Sequence, residues 1–195
     1  MQAFQKGQIG ISVVTFWYLP KSGTAASKRA ASKALDFILG WFTHPVTFGE
    51  YPQSMRSSVG DRLPKFSAAE LKLLKGSIDF LGVNYYTASY ADPPSLSAAT
   101  STVNQSFYGD MDISLSTDKN GVPLGTPTAL SWLHIYPKGI RELMLHIKEK
   151  YNDPEIYITE NGYTVRFGLA YADYKNKFKG TLKYSAYWFK MFLLK

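Results

Sequence analysis

The sequence contains no cysteine, so disulfide staples, thiolate nucleophiles and thiolate-ligated metal sites are excluded, and the redox compartment stays open. Long apolar runs are missing too: nothing approaches the roughly 20 consecutive apolar residues of a membrane-spanning helix, and no membrane association is expected. Met1 is followed by Gln-Ala-Phe-Gln-Lys-Gly, which lacks the apolar stretch of a secretory signal. Acidic side chains are the scarcer sign, 15 against 22 basic ones, for a formal net charge of +7. That excess invites a nucleic-acid reading, and Lys175, Lys177, Lys179, Lys183, Lys190 and Lys195 do crowd the tail. They alternate with large apolar residues at helix-like spacing, as on a solvated face, and no RNP, zinc-finger or basic-zipper pattern accompanies them. No nucleic-acid partner is expected.

What is present is apolar and aromatic material. Hydrophobic residues make up 45% of the 195 positions and aromatics 15%, enough for a sizeable core and against general disorder. Sugars present flat C–H faces to rings, so the same aromatics suit a carbohydrate site as well as a core. Asn104-Gln105-Ser106 is a glycosylation sequon, relevant only on a secretory route.

The pattern along the chain alternates strand and helix. Gly7–Thr15 (GQIGISVVT) reads as a buried strand, and a domain opening on one is expected to have lost what preceded it. Ala25–Phe42 has helical spacing, with Ala31, Leu35, Ile38 and Phe42 on one face, and Pro45, Gly49 and Pro52 break the stretch after it. Ser67-Ala68-Ala69-Glu70 is a capping box opening a short helix to about Lys75. Ile78–Thr87 (IDFLGVNYYT) is a second buried strand, and the polar stretch from Asp92 to Gly125 reads as a surface excursion. Pro137 starts an amphipathic helix through Ile140, Leu143, Met144, Ile147 and Tyr151; Asn152-Asp153-Pro154 ends it before a third strand, Glu155–Thr159. A last helix spans Tyr184–Leu194. This order predicts a parallel α/β sheet, and pattern alone leaves doubly wound and barrel forms open.

Candidate chemistry sits at strand ends. Glu160 ends the third strand beside the turn-forming Asn161-Gly162, where parallel α/β folds build their sites. Asn84 and Tyr86 end the second strand and, two residues apart, share one face. A carboxylate, an amide and a phenol would then meet at the mouth of one sheet. An exposed loop glutamate beside a half-buried polar cluster is the plainer alternative.

Two of these segments carry a resemblance. Asp79-Phe80-Leu81-Gly82-Val83-Asn84-Tyr85-Tyr86-Thr87 and Tyr157-Ile158-Thr159-Glu160-Asn161-Gly162 resemble signature blocks of family 1 glycoside hydrolases, particularly plant β-glucosidases. Gly7–Ile11, Asp36–Phe42, Gly49–Met55, Trp132 with Tyr136-Pro137, Tyr163–Leu169 with Asp173-Tyr174, and Ser185–Phe189 resemble supporting blocks in the same order. The resemblance implies a partial TIM (β/α)8 barrel, about strands five to seven plus the C-terminal helix, with residues 1–195 forming a single incomplete domain. It implies retaining hydrolysis of β-glucosides without a cofactor or metal. Glu160 would be the nucleophile, Tyr86 its orienting donor, Asn84 a substrate-binding amide and Trp132 the ring stacked on the sugar. His134 departs from the family pattern and reads as structural. The same glycosyl-enzyme intermediate would serve water or a sugar acceptor, so hydrolysis and transglycosylation both stay open.

The departures matter as much as the matches. The family's acid/base glutamate lies in a Thr-Phe-Asn-Glu-Pro block at the end of the fourth strand, and no such block occurs here. After Glu160-Asn161-Gly162 the family runs through a helix to an eighth strand, whereas here the post-barrel segment comes at once, as if an internal piece were removed. The block Lys179-Gly180-Thr181-Leu182-Lys183 also departs from the family pattern. Without the general acid the isolated chain is expected to be inactive, and three strands in place of eight are expected to leave exposed edges. The alternative reading is a non-catalytic interaction partner, a splice or truncated isoform associating with full-length β-glucosidases.

Overall fold

The computed structural model describes residues 6–94, 106–160, 170–173 and 179–182, with positions 187, 190 and 191 of the tail. Its centre is a parallel sheet. Strand β2 (Phe80–Asp92) lies in the middle, β1 (Gly10–Pro20) pairs parallel with it on one side, and β8 (Glu155–Glu160) pairs parallel on the other. Each strand runs past the C-terminal bound read from sequence, and β1 and β2 begin later than read, at Gly10 and Phe80. β1 continues through Phe16, Trp17 and Tyr18, which suit a pleated surface as well as Val13 and Val14 do. β2 continues past Thr87 to Asp92, and β8 includes Glu160.

Helices cover one face of this sheet. α1 (Ala25–Leu35) starts at Thr24, whose side chain accepts the Ser27 N–H, and buries Ala30, Ala31, Ala34 and Leu35. α6 (Pro137–Lys150) opens with Pro at its first turn and buries Ile140, Leu143 and Ile147. These side chains form one core with Val13 of β1 and with Leu81, Val83 and Tyr85 of β2, each large apolar group contributing about 1.5–3 kcal/mol by leaving water. The strands themselves are not buried on both faces as expected. Val13 and Thr15 are buried, yet Ser12 and Val14, which alternate with them, are exposed, because no second layer covers the far face among the described residues.

The helical stretch after β1 is not one phase. Asp36–Gly40 forms a π turn before α2 (Trp41–Phe48) resumes. The added residue rotates the helix, so Phe37 and Leu39 enter the core while Phe42, expected on the buried face, is 46% exposed. Pro45 does not break the helix either: it lies inside α2, which stops at left-handed Gly49, whose N–H bonds the Pro45 carbonyl. α3 (Gln53–Val59) comes next. The capping box forms as read, with Ser67 and Glu70 opening α4 (Ala68–Leu74).

Residues 95–105 of the long polar excursion lie outside the described residues. The remainder is more ordered than a surface loop: α5 (Phe107–Met111) stacks Phe107 on Trp41 at 5.3 Å and buries Met111. β3 (Ser114–Ser116) then pairs antiparallel with Tyr90–Asp92 of β2. A hairpin of β4 (Asp118–Lys119) and β5 (Val122–Pro123) turns at Asn120-Gly121, both with positive φ. β6 (Thr126–Pro127) pairs with β7 (His134–Ile135), and an unanticipated antiparallel pair joins β9 (Ala170–Asp173) to β10 (Lys179–Leu182). The helix expected over 184–194 falls mostly outside the described residues; Tyr187, Lys190 and Met191 are helical.

Candidate active site

Glu160, Asn84 and Tyr86 do meet. Glu160 ends β8, whereas Asn84 and Tyr86, read from sequence as a strand end, lie in the middle of the longer β2; all three are on the face away from the helices. Their meeting depends on a break in register. Val83 pairs with Ile158, but the next pair joins Asn84 to Glu160 and skips Thr159. Under strict alternation Glu160 would share the helix-facing side of Ile156 and Ile158. The bulge at Thr159 turns it to the side of Asn84. A second irregularity lies across β2, where Thr15 pairs with Tyr85 but Trp17 pairs with Ala88. Bulges are common at barrel rims and beside sites because they re-aim side chains in this way.

The Tyr86 hydroxyl donates to Oε2 of Glu160. That hydrogen bond pushes the Tyr86 phenol up to about 12, with burial and the carboxylate's charge adding to it. The phenol therefore keeps its proton and remains a donor across the physiological range. Thr159 Oγ1 donates to Asn84 Oδ1, so the bulged residue also fixes the amide. Gly82 lies between Ser12 and Thr159 with no room for a Cβ, which lets the three strands close up beneath the site.

Trp132 is 47% exposed and meets the edge of Phe16 at 6.5 Å; Phe16 in turn lies 6.4 Å from the Tyr86 ring. A row of aromatic rings thus leads from Trp132 to the tyrosine that holds Glu160. Phe16 was missed from sequence because the strand was ended at Thr15; extending the alternation of Ser12 and Val14 by one step finds it. His134 sits apart from this chemistry. Its backbone N–H donates to Thr87 Oγ1, which donates to the His134 carbonyl, and its buried ring leaves Nδ1 unbonded.

The other carboxylate of β8 lies far from Glu160. Glu155, at the opposite end of β8, is five residues back and so roughly 16 Å away at about 3.3 Å per residue. Retaining pairs need about 5–5.5 Å. Among the described residues, no three His, Asp or Glu side chains are grouped to hold a metal ion, and no helix is long and apolar enough to cross a membrane.

A carboxylate held by a phenol of the neighbouring parallel strand thus lies on the open face of an α/β sheet. The profile of glycosyl hydrolase family 1 matches residues 1–165, and the chain belongs to that family. Its sheet is a segment of a TIM barrel. The chain is 38% identical to β-glucosidase 12 of Oryza sativa subsp. indica, over all of this chain and 49% of the relative. It is 51% identical to raucaffricine-O-β-D-glucosidase of Rauvolfia serpentina, over 83% of this chain and 30% of that protein. The crystal structure of rice Os3BGlu6 β-glucosidase superposes with a TM-score of 0.78 at 32% identity, covering 97% of this chain and 52% of that one. The chain thus spans about half the length of the relatives it matches. The rice β-glucosidase 12 match runs over 254 aligned positions against 195 residues, a difference of 59 positions that this chain lacks inside the matched span. Matches of 161 and 162 residues, and the profile ending at 165, fit a gap after the Glu160 block.

Proposed function

We propose that this chain carries the nucleophile half of a retaining β-glucosidase site. The observation behind the reading is the Tyr86–Glu160 hydrogen bond between adjacent parallel strands of a family 1 barrel segment. In the reaction, a Glu160 oxygen attacks the anomeric carbon and forms a C–O bond. The bond to the departing oxygen breaks with its electron pair, and water later releases the sugar from the ester. Tyr86 donates to the carboxylate and aims it; Asn84 would order a sugar hydroxyl, and Trp132 would stack on the ring.

The chain alone is proposed to be inactive on ordinary glucosides. Without a general acid the leaving oxygen departs unprotonated, a loss of about 10²–10⁴-fold. An aryl glucoside with a strongly acidic phenol as leaving group needs no such proton and isolates the Glu160 step. Mass spectrometry should show one glucosyl adduct on the wild-type chain with that substrate, absent in Glu160→Gln, and no turnover of an alkyl glucoside. Alkyl glucoside turnover would refute the inactivity, and an adduct surviving Glu160→Gln would remove Glu160 from the role.

A second reading, a non-catalytic partner of β-glucosidases, is favoured by one feature: among the described residues β1 has no neighbour on its outer edge. Co-purification of the tagged chain with a full-length relative, without turnover, is its test.

A further inference from the structure

We propose that Thr159 is a positioning residue for the Glu160 site: its hydroxyl holds the Asn84 amide in the orientation that orders a sugar ahead of attack by Glu160. This deepens the nucleophile reading and rests on it. β8 pairs with β2 in step as far as Ile158 and Val83, after which Asn84 is opposed by two residues, Thr159 and Glu160. Bulges of this kind are rare between parallel strands, and the extra residue is left without a ladder partner. Both bulged side chains reach across to β2 on the open face, Glu160 to Tyr86 and Thr159 to Asn84.

Thr159 is seated there by its neighbours. Its Oγ1 donates to Asn84 Oδ1 at 2.5 Å. Its Oγ1 and Cγ2 each lie 3.0 Å from the point where Gly82 would carry a Cβ, so the side chain occupies room that the glycine of the next strand leaves open. A larger residue at position 82 would displace it. Strand propensity does not account for the choice of residue, because valine has the same branched shape and suits a strand as well. The hydroxyl is what distinguishes threonine here.

The bond is exposed, so it adds little to stability. What it fixes is direction. An asparagine amide has an acceptor end and a donor end, and its terminal torsion is broad and roughly two-fold. With Oδ1 engaged by Thr159, Nδ2 is the end that serves a ligand, as a donor to a hydroxyl oxygen of the sugar. Ionised Glu160, the Cα partner of Asn84, only accepts. The pair therefore offers a sugar one donor and one acceptor from adjacent strands. Turned over, the amide would place two acceptors side by side.

The test uses the full chain and the activated aryl glucoside. Thr159→Val keeps the branched shape and removes the hydroxyl, and Thr159→Ser restores it. Glucosyl labelling of Glu160 should slow by about tenfold in Thr159→Val and return to within about threefold of wild type in Thr159→Ser. In an Asn84→Ala background Thr159→Val should cause no further loss, because the two side chains act as one unit. The urea midpoint should stay unchanged in both Thr159 variants. Nitrogen relaxation of the Asn84 side-chain amide, read by NMR, needs no reaction: its order parameter should fall below about 0.6 in Thr159→Val and recover in Thr159→Ser. Unchanged labelling, or an amide that stays rigid without the hydroxyl, overturns the inference. So does a loss that serine does not recover or that persists beside Asn84→Ala. Absence of any adduct on the wild-type chain removes the nucleophile reading, and the amide measurement then decides alone whether Thr159 holds Asn84.

Discussion

The two faces of the central sheet are made from alternate residues of the same strands and share almost nothing else. On the helix side Val13, Thr15, Val83 and Tyr85 are all at or below 5% exposure, and the three apolar ones share a core with Leu143 and Ile147. On the far side Ser12, Val14, Thr159 and Glu160 are exposed, with Asn84 and Tyr86 half-buried among them. Stability resides on the first face and candidate chemistry on the second. A strand's two-residue period lets one segment serve both without compromise.

That contrast can be broken experimentally, beginning with the largest effect. Glu160→Gln should reduce glucosyl labelling by an activated aryl glucoside by about 10³-fold or more. It should leave the urea midpoint within experimental error, because the side chain supports no core. Leu143→Ala on the helix side should do the reverse, costing about 2–5 kcal/mol in urea unfolding through the cavity it leaves.

A pH effect sharpens the same division. His146, on α6, packs its ring against Trp17 and Tyr151 at 6.1 and 6.2 Å. Burial, with Lys150 nearby and Asp36 opposing, lowers its pKa to about 4 from the ordinary 6.5. The unfolded chain therefore binds a proton across that window that the folded chain refuses, so stability falls as pH drops from about 6.5 to about 4 and levels off below. His146→Phe should flatten that part of the urea-midpoint profile. On the far face, Glu160→Gln should return the Tyr86 phenol from about 12 towards its ordinary 10, read by ultraviolet titration. The smallest effect lies away from both faces: Ser67→Ala removes one member of the capping box and should cost about 0.5–2 kcal/mol.

Much of this was legible in residues. The capping box at Ser67 and Glu70, the Pro137 helix start and the Ile140–Leu143–Ile147 stripe are local signals, each dictated by hydrogen-bonding or period within one turn or two, and all three form as read. The helix after β1 was not, because a π turn at Asp36–Gly40 leaves no compositional mark and shifts the buried face from Phe42 to Phe37 and Leu39. Nor did polarity distinguish the excursion's anchored part: one aromatic, Phe107, seated on Trp41, ties it to the core.

By itself the sequence determined the parallel α/β order, the family and the three residue types at the strand ends, since these depend on period, turn chemistry and motif. Only the tertiary structure decided that Glu160 faces Tyr86 and that, among the described residues, β1 comes last in the strand order on its side of β2. The first depends on which residue of β8 is skipped against β2, and the second on which strands lie beyond β1. Register and neighbourhood are relations between segments distant in the chain, so no single segment encodes them.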